Sequence, residues 1–102
     1  MTHRVVITGR ALADLRSIRD YIARRSPDNA ARFLEKLLVS LDRLEDAPQR
    51  HATAPEGGLV PYTLRQYVVK PYRILYRVEG RTYQVLHVRH GAPRRATPDD
   101  LR

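Results

Sequence analysis

The chain has 102 residues, 42% of them hydrophobic, which suits one domain with a core of its own. Nineteen Lys+Arg against eleven Asp+Glu give a net charge of +8 at pH 7. The lack of cysteine excludes disulfide scaffolds, thiol nucleophiles and thiolate zinc sites, and no apolar run approaches the ~20 residues of a membrane span.

At the N-terminus the apolar run is too short for a signal peptide, so the chain reads as soluble and cytoplasmic. Arg4–Thr8 (RVVIT) is a β-branched run before Gly9 and predicts a short strand. Leu12, Leu15, Ile18 and Ile22 then recur at three- and four-residue steps, which predicts an amphipathic helix over about 10–25. Ser26-Pro27 marks a restart: the Ser26 hydroxyl can accept from first-turn amides, and Pro27 lacks only a donor that a first turn leaves unused. Ala30, Phe33, Leu34, Leu37, Leu38, Leu41 and Leu44 predict a second helix ending near Asp46, where Ala47-Pro48 cannot continue it. So short a break makes the two helices an antiparallel hairpin.

Residues 47–62 hold three prolines and two glycines and predict an irregular loop. Three β-rich runs follow, Thr63–Lys70, Tyr72–Glu79 and Arg81–His90, with Glu79-Gly80 suited to a tight turn between the last two. In the middle run Tyr72, Ile74, Tyr76 and Val78 alternate with Arg73, Leu75, Arg77 and Glu79, so one face is apolar and the other partly basic. The tail, Gly91–Arg102, has two prolines and reads as loose. The order predicts an α+β fold: an N-terminal strand, the helical hairpin, then three antiparallel strands in one sheet packed on the helices. Residues 1–102 form a single domain on this reading, and the βαββαβ and αβββα orders of common RNA-binding modules are excluded.

Charge is unevenly placed. Residues 1–46 carry nine bases and seven acids, whereas 47–102 carry ten bases and four acids. Arginine supplies nearly all of it, Lys36 and Lys70 being the two lysines, and its planar fork matches phosphate or carboxylate. Arg65, Arg73, Arg77, Arg89 and His90 lie on predicted strands and Arg94 and Arg95 in the tail, so a basic surface for an anionic partner is one reading and a solvated outer face the other. A hairpin covers only one face of such a sheet, which leaves the basic face open. The chain has no phosphate-cradling glycine loop and no nucleophile elbow. His87 and His90, three apart on a strand, point to opposite faces, so no metal or other cofactor is expected. His90, at a strand end, is the one candidate acid/base.

The run Ala11-x-Ala13-Asp14-Leu15-x-x-Ile18-x-x-Tyr21-Ile22 and the start Ser26-Pro27-Asp28-Asn29-Ala30-x-Arg32-Phe33 together resemble the RelE/ParE toxin superfamily of bacterial type II toxin–antitoxin modules. Leu64-Arg65, the strand Tyr72-Arg73-Ile74-Leu75-Tyr76-Arg77-Val78 and the ending Val85-Leu86-His87-Val88-x-His90-Gly91 carry the same resemblance, which spans roughly 4–95. It implies two alternative activities. A RelE-like member is a ribosome-dependent endoribonuclease, with Arg73 on the scissile phosphate, Arg65 and Arg94 or Arg95 as further basic groups, and His90 in place of the missing C-terminal tyrosine. A ParE-like member poisons DNA gyrase without a chemical site of its own, and the Ser-Pro-x-x-Ala-x-Arg-Phe start and the His-Gly end are closer to that type. Either type implies a cognate antitoxin, ParD-like or other, whose acidic C-terminal segment wraps the toxin in a hetero-oligomer and offers Arg73 an acidic partner.

Overall fold

A computed structural model of the chain describes residues 3–46, 52–91, 96 and 98–101. Its elements are β1 (Arg4–Ile7), α1 (Gly9–Arg25), α2 (Pro27–Asp46), β2 (Arg65–Val69), β3 (Tyr72–Glu79) and β4 (Thr82–His90). Two short 3-10 turns, Pro55–Leu59 and Pro98–Leu101, lie in the segments read as irregular loop and loose tail. The predicted α+β order holds, with one four-stranded sheet in the order β1-β4-β3-β2. β1 runs parallel to β4, and β2, β3 and β4 form an antiparallel meander.

Local chemistry sets the helix ends. Thr8, read as the last residue of a strand, caps α1 instead: its Oγ1 accepts the Ala11 N–H at 3.2 Å and donates to the Val85 carbonyl at 2.9 Å, fastening the helix start to β4. Ser26 alone separates the helices. Its N–H closes α1 on the Ile22 carbonyl, and its Oγ accepts the Asn29 N–H at the start of α2. Gly80, with φ of 61°, occupies the left-handed position that the β3–β4 turn requires.

The main core lies between the hairpin and one sheet face. Ala11, Leu15, Phe33, Leu37, Leu41 and Leu44 meet Ile74, Tyr76, Tyr83, Val85 and Val88 there. Both helical stripes are narrower than predicted. Leu12 is exposed and Leu38 is 62% exposed, because each falls beside the arc that meets the sheet rather than on it. Val85 and Val88 share the core face although three residues apart. The register shifts between Leu75 and Tyr76, so that His87 opposes Leu75, Val85 opposes Tyr76, and Leu86 is the extra, bulged residue.

The largest departure from expectation concerns the other face. It is not open. Leu64, Leu75, Leu86, Ala54, Ala96 and Leu101 form a second apolar cluster, with Val60 and Tyr62 packed against it. The segment before β2 lies back over the sheet, anchored by Ala54 N–H to the Leu64 carbonyl and Gln66 N–H to the Ala52 carbonyl. The tail read as loose places Ala96 and Leu101 in the same cluster. The physical reason is Leu75 and Leu86, two buried leucines on a nominally polar face that cannot stay wet.

Candidate functional site

Arg73 is the centre of the covered face. Its guanidinium meets the Glu56 carboxylate through two bonds of 3.0 and 2.6 Å, and its Nε donates to the Gln66 side chain at 2.9 Å. Glu56 also accepts the Ala96 N–H at 2.8 Å, so one carboxylate ties together the loop, the middle strand and the tail. The side chains are 10% and 0% exposed, which takes Arg73 out of the set of available anion-binding groups. The acidic partner expected from an antitoxin is an internal residue. Gly91 completes the packing: its N–H donates to the Pro71 carbonyl, and a Cβ there would lie 3.2 Å from that oxygen, against the Arg73 stem.

Burial alone would raise the Glu56 pKa, but the bonds from Arg73 and Ala96 and the Arg73 charge outweigh it and hold the carboxyl at about 2, against an ordinary 4.5. Since the folded value is the depressed one, the stabilisation is present above the unfolded value and is lost as pH falls through the window from 4.5 to about 2. The expected loss across that window is about 3 kcal/mol. Urea unfolding down the acid range checks it: the slope attributable to this carboxyl disappears in Glu56→Gln.

A second polar network closes the edge of β4 beyond β1. Asp14 on α1 accepts the Val88 N–H at 3.0 Å and bonds the buried His87 Nδ1 at 2.5 Å, using a side chain where a neighbouring strand would supply a carbonyl. Its other oxygen accepts from Arg10, which also donates to Asp100, and Asp100 accepts from Arg89 at 3.4 Å. Arg89 is thereby committed to a contact with the tail. Arg77 lies over the Tyr62 ring at 4.4 Å and pairs with Glu79 at 3.2 Å.

The remaining candidates face the other way. Arg65 is in register with Tyr76 and His90 with Tyr72, so both belong to the helix face, whereas Arg73, Arg77 and Arg89 belong to the covered face. Arg65 and His90 also lie toward opposite ends of β3, about 13 Å apart along the strand. His90 is exposed, with its ring edge-on to Tyr72 at 5.7 Å. The structure therefore does not bring Arg65, Arg73 and His90 together. Arg94 and Arg95 lie outside the described residues. His87 and His90 face opposite sides, so they do not converge on one ion.

Sequence reasoning missed Glu56, Gln66, Asp14 and Asp100. The one signal was Glu56, an acidic residue in a proline- and glycine-rich loop ahead of an arginine-bearing strand, and it names no partner by itself.

Comparison with known proteins decides the family. The family model described as the ParE toxin of the type II toxin–antitoxin system, parDE, matches residues 5–94. The chain belongs to the ParE toxin family. Curated relatives of this ParE-family chain include Toxin RelE2 of Caulobacter vibrioides, 42% identical over 90 residues that cover 87% of the chain and 96% of the relative. Toxin RelE1 of the same organism is 31% identical over 99 residues, covering 93% and 100%. Among solved structures, the chromosomal ParDE toxin–antitoxin system from P. aeruginosa aligns with a TM-score of 0.71 at 24% identity, over 87% of this chain and 96% of that one. The toxin–antitoxin complex RelBE2 from Mycobacterium tuberculosis aligns at 0.58 and 22% identity, over 88% and 99%. These two share the fold. The ParE-family chain is thus a toxin of the type II toxin–antitoxin class, within a superfamily whose relatives carry both ParE and RelE names.

Proposed function

We propose that this ParE-family chain inhibits DNA gyrase and is neutralised by a cognate antitoxin with an acidic C-terminal segment. The observation that carries the gyrase reading is the scattering of the nuclease candidates: Arg73 is bound to Glu56, while Arg65 and His90 lie on the opposite face. Phosphodiester cleavage needs a base or acid and a charge-stabilising cation within bonding reach of one phosphate. A gyrase poison needs only a surface. Gyrase acts in the cytoplasm, which is where the toxin would work, arresting growth unless the antitoxin holds it in a hetero-oligomer. The antitoxin reading draws its support from the basic half at 47–102 and from the two toxin–antitoxin systems that share the fold.

Purified gyrase supplies the test. The expected result is loss of supercoiling with accumulation of cleaved DNA at micromolar toxin, and full supercoiling in its presence rejects the reading. The relatives named RelE favour a second one, ribosome-dependent mRNA cleavage through His90. Primer extension on ribosome-bound message decides it: cuts that fall about 10²–10⁴-fold in His90→Ala select the nuclease.

A further inference from the structure

At the corner of the sheet where β1 begins beside the β3–β4 turn lies a cleft of about 340 Å³, lined by His3, Arg4, Arg81 and Thr82. These residues come from the two ends of the chain, and parallel strand pairing joins them. Arg4 is in register with Thr82, and the Arg4 N–H donates to the Arg81 carbonyl at 2.7 Å. That bond ties the two backbones, so both guanidinium stems leave from adjacent points of one corner. The corner is separate from His90. Thr82 and His90 are the two ends of β4, about 26 Å apart along the strand.

Every side chain on this cleft is polar. Arg4 and Arg81 are exposed, and neither forms an ion pair among the described residues. The carboxylate nearest in register is Glu79, opposite Thr82, and it is bonded to Arg77 at 3.2 Å. His3 adds a directional donor. Its Nδ1 is buried without a hydrogen-bond partner among the described residues. An orphaned buried lone pair is tolerated better than an orphaned buried N–H, which places the proton on Nε2, the ring nitrogen left to meet a ligand. The Thr82 hydroxyl is a further donor. Two cations held side by side repel, and an anion between them turns that repulsion into attraction.

We propose that this corner binds a phosphate group, and that its source is the backbone of duplex DNA. The donor set selects the chemistry. Two guanidinium forks, a hydroxyl and an imidazole N–H outnumber what the two coplanar oxygens of a carboxylate accept, whereas a tetrahedral phosphate presents oxygens in several directions. The walls select the source. A peptide segment needs apolar anchors, and a free nucleotide needs a surface for its base, but the cleft has no apolar wall. A DNA backbone asks only for cations and donors at the phosphate. The inference rests on the gyrase reading above and deepens it, giving the toxin a hold on the DNA that gyrase carries. Binding is measured without gyrase, so that either reading can fail alone.

The probe is a fluorescently labelled DNA duplex of about 20 base pairs, followed by anisotropy against the full chain across a salt series. Wild type is expected to bind with a Kd of about 10⁻⁴–10⁻⁶ M and without sequence preference. Arg4→Gln with Arg81→Gln is expected to weaken binding about tenfold and to lower the slope of log K against log salt by about 1, the loss of one phosphate contact. Both side chains are exposed, and Gln keeps the backbone bond between the two positions, so circular dichroism and thermal unfolding should match wild type. Arg16→Gln with Arg24→Gln, exposed on α1, removes the same charge elsewhere and should keep the wild-type slope. Inorganic phosphate separates the sources: at constant ionic strength it should displace the duplex from wild type and not from the Arg4/Arg81 variant. Equal slopes in the two double variants overturn the proposal. So does a wild-type chain that takes inorganic phosphate at this corner but no duplex. A slope lowered only in the Arg4/Arg81 variant, alongside full supercoiling in the gyrase assay, upholds the corner and rejects the gyrase reading alone.

Discussion

Replacing Arg73 with Ala is expected to lower stability by about 3–5 kcal/mol, because it leaves Glu56 charged, 0% exposed and without its cation. The loss should be larger than for any other single arginine in the sheet. Glu79, the partner of Arg77, is 64% exposed, and exposed pairs contribute at most about 1 kcal/mol, while Arg89 reaches a part-buried Asp100 only at 3.4 Å. Removing both charges together, as Arg73→Met with Glu56→Leu, should restore part of the stability, since no unpaired charge stays buried, while the Ala96 N–H that loses its acceptor still costs about 1–3 kcal/mol. Denaturant unfolding of the single and double variants measures this directly. A single variant within about 0.5 kcal/mol of wild type would show that the pair does not hold the covered face together. Toxicity of the double variant adds a functional reading. Retained growth arrest in a folded double variant means that the Arg73 guanidinium acts on the fold, whereas loss of arrest assigns it to a target contact.

The second large effect is expected at Tyr83, on the opposite side of the sheet. Its side chain is fully buried, its hydroxyl donates to the Leu41 carbonyl of α2 at 2.7 Å, and its ring meets that of Tyr76 edge-on at 6.0 Å. Tyr83→Ala should cost about 3–5 kcal/mol, the usual range for deleting a large buried aromatic side chain. Tyr83→Phe separates the two contributions: it keeps the ring and removes only the hydrogen bond, for an expected loss of about 1 kcal/mol. Thermal unfolding of the pair reads the difference. Equal losses would mean that the hydroxyl contact, rather than ring burial, joins helix to sheet.

Both predictions concern residues whose burial is only half visible in the sequence. Tyr83 lies in a strand pattern and packs as strand tyrosines usually do. Arg73 alternates with apolar residues, and alternation alone assigns it to a solvated face. The assignment failed because alternation counts faces and does not count what covers them. Two leucines on the second face drew the 52–64 segment and the tail across it, and Glu56 came with them.

The same distinction explains the scattered site. Arg65 and Arg73 lie on adjacent strands, and those strands pair. Register placed them on opposite faces, since Arg65 opposes Tyr76 and Gln66 opposes Leu75. A shift of one residue would have reversed the result, and a propensity pattern does not fix register to one residue.

A cysteine-free chain of 102 residues with a net charge of +8 makes an anionic partner the natural guess. Element types and order were fixed locally, by helical and strand periodicities, by Ser26-Pro27 and by the glycine at the β3–β4 turn, because these are short-range preferences of the chain. The destinations of the charges were decided only in three dimensions. A guanidinium becomes structural or available according to which residue, seventeen positions away or further along, is folded against it. Burial and pairing are properties of distant contacts, and no local pattern encodes them.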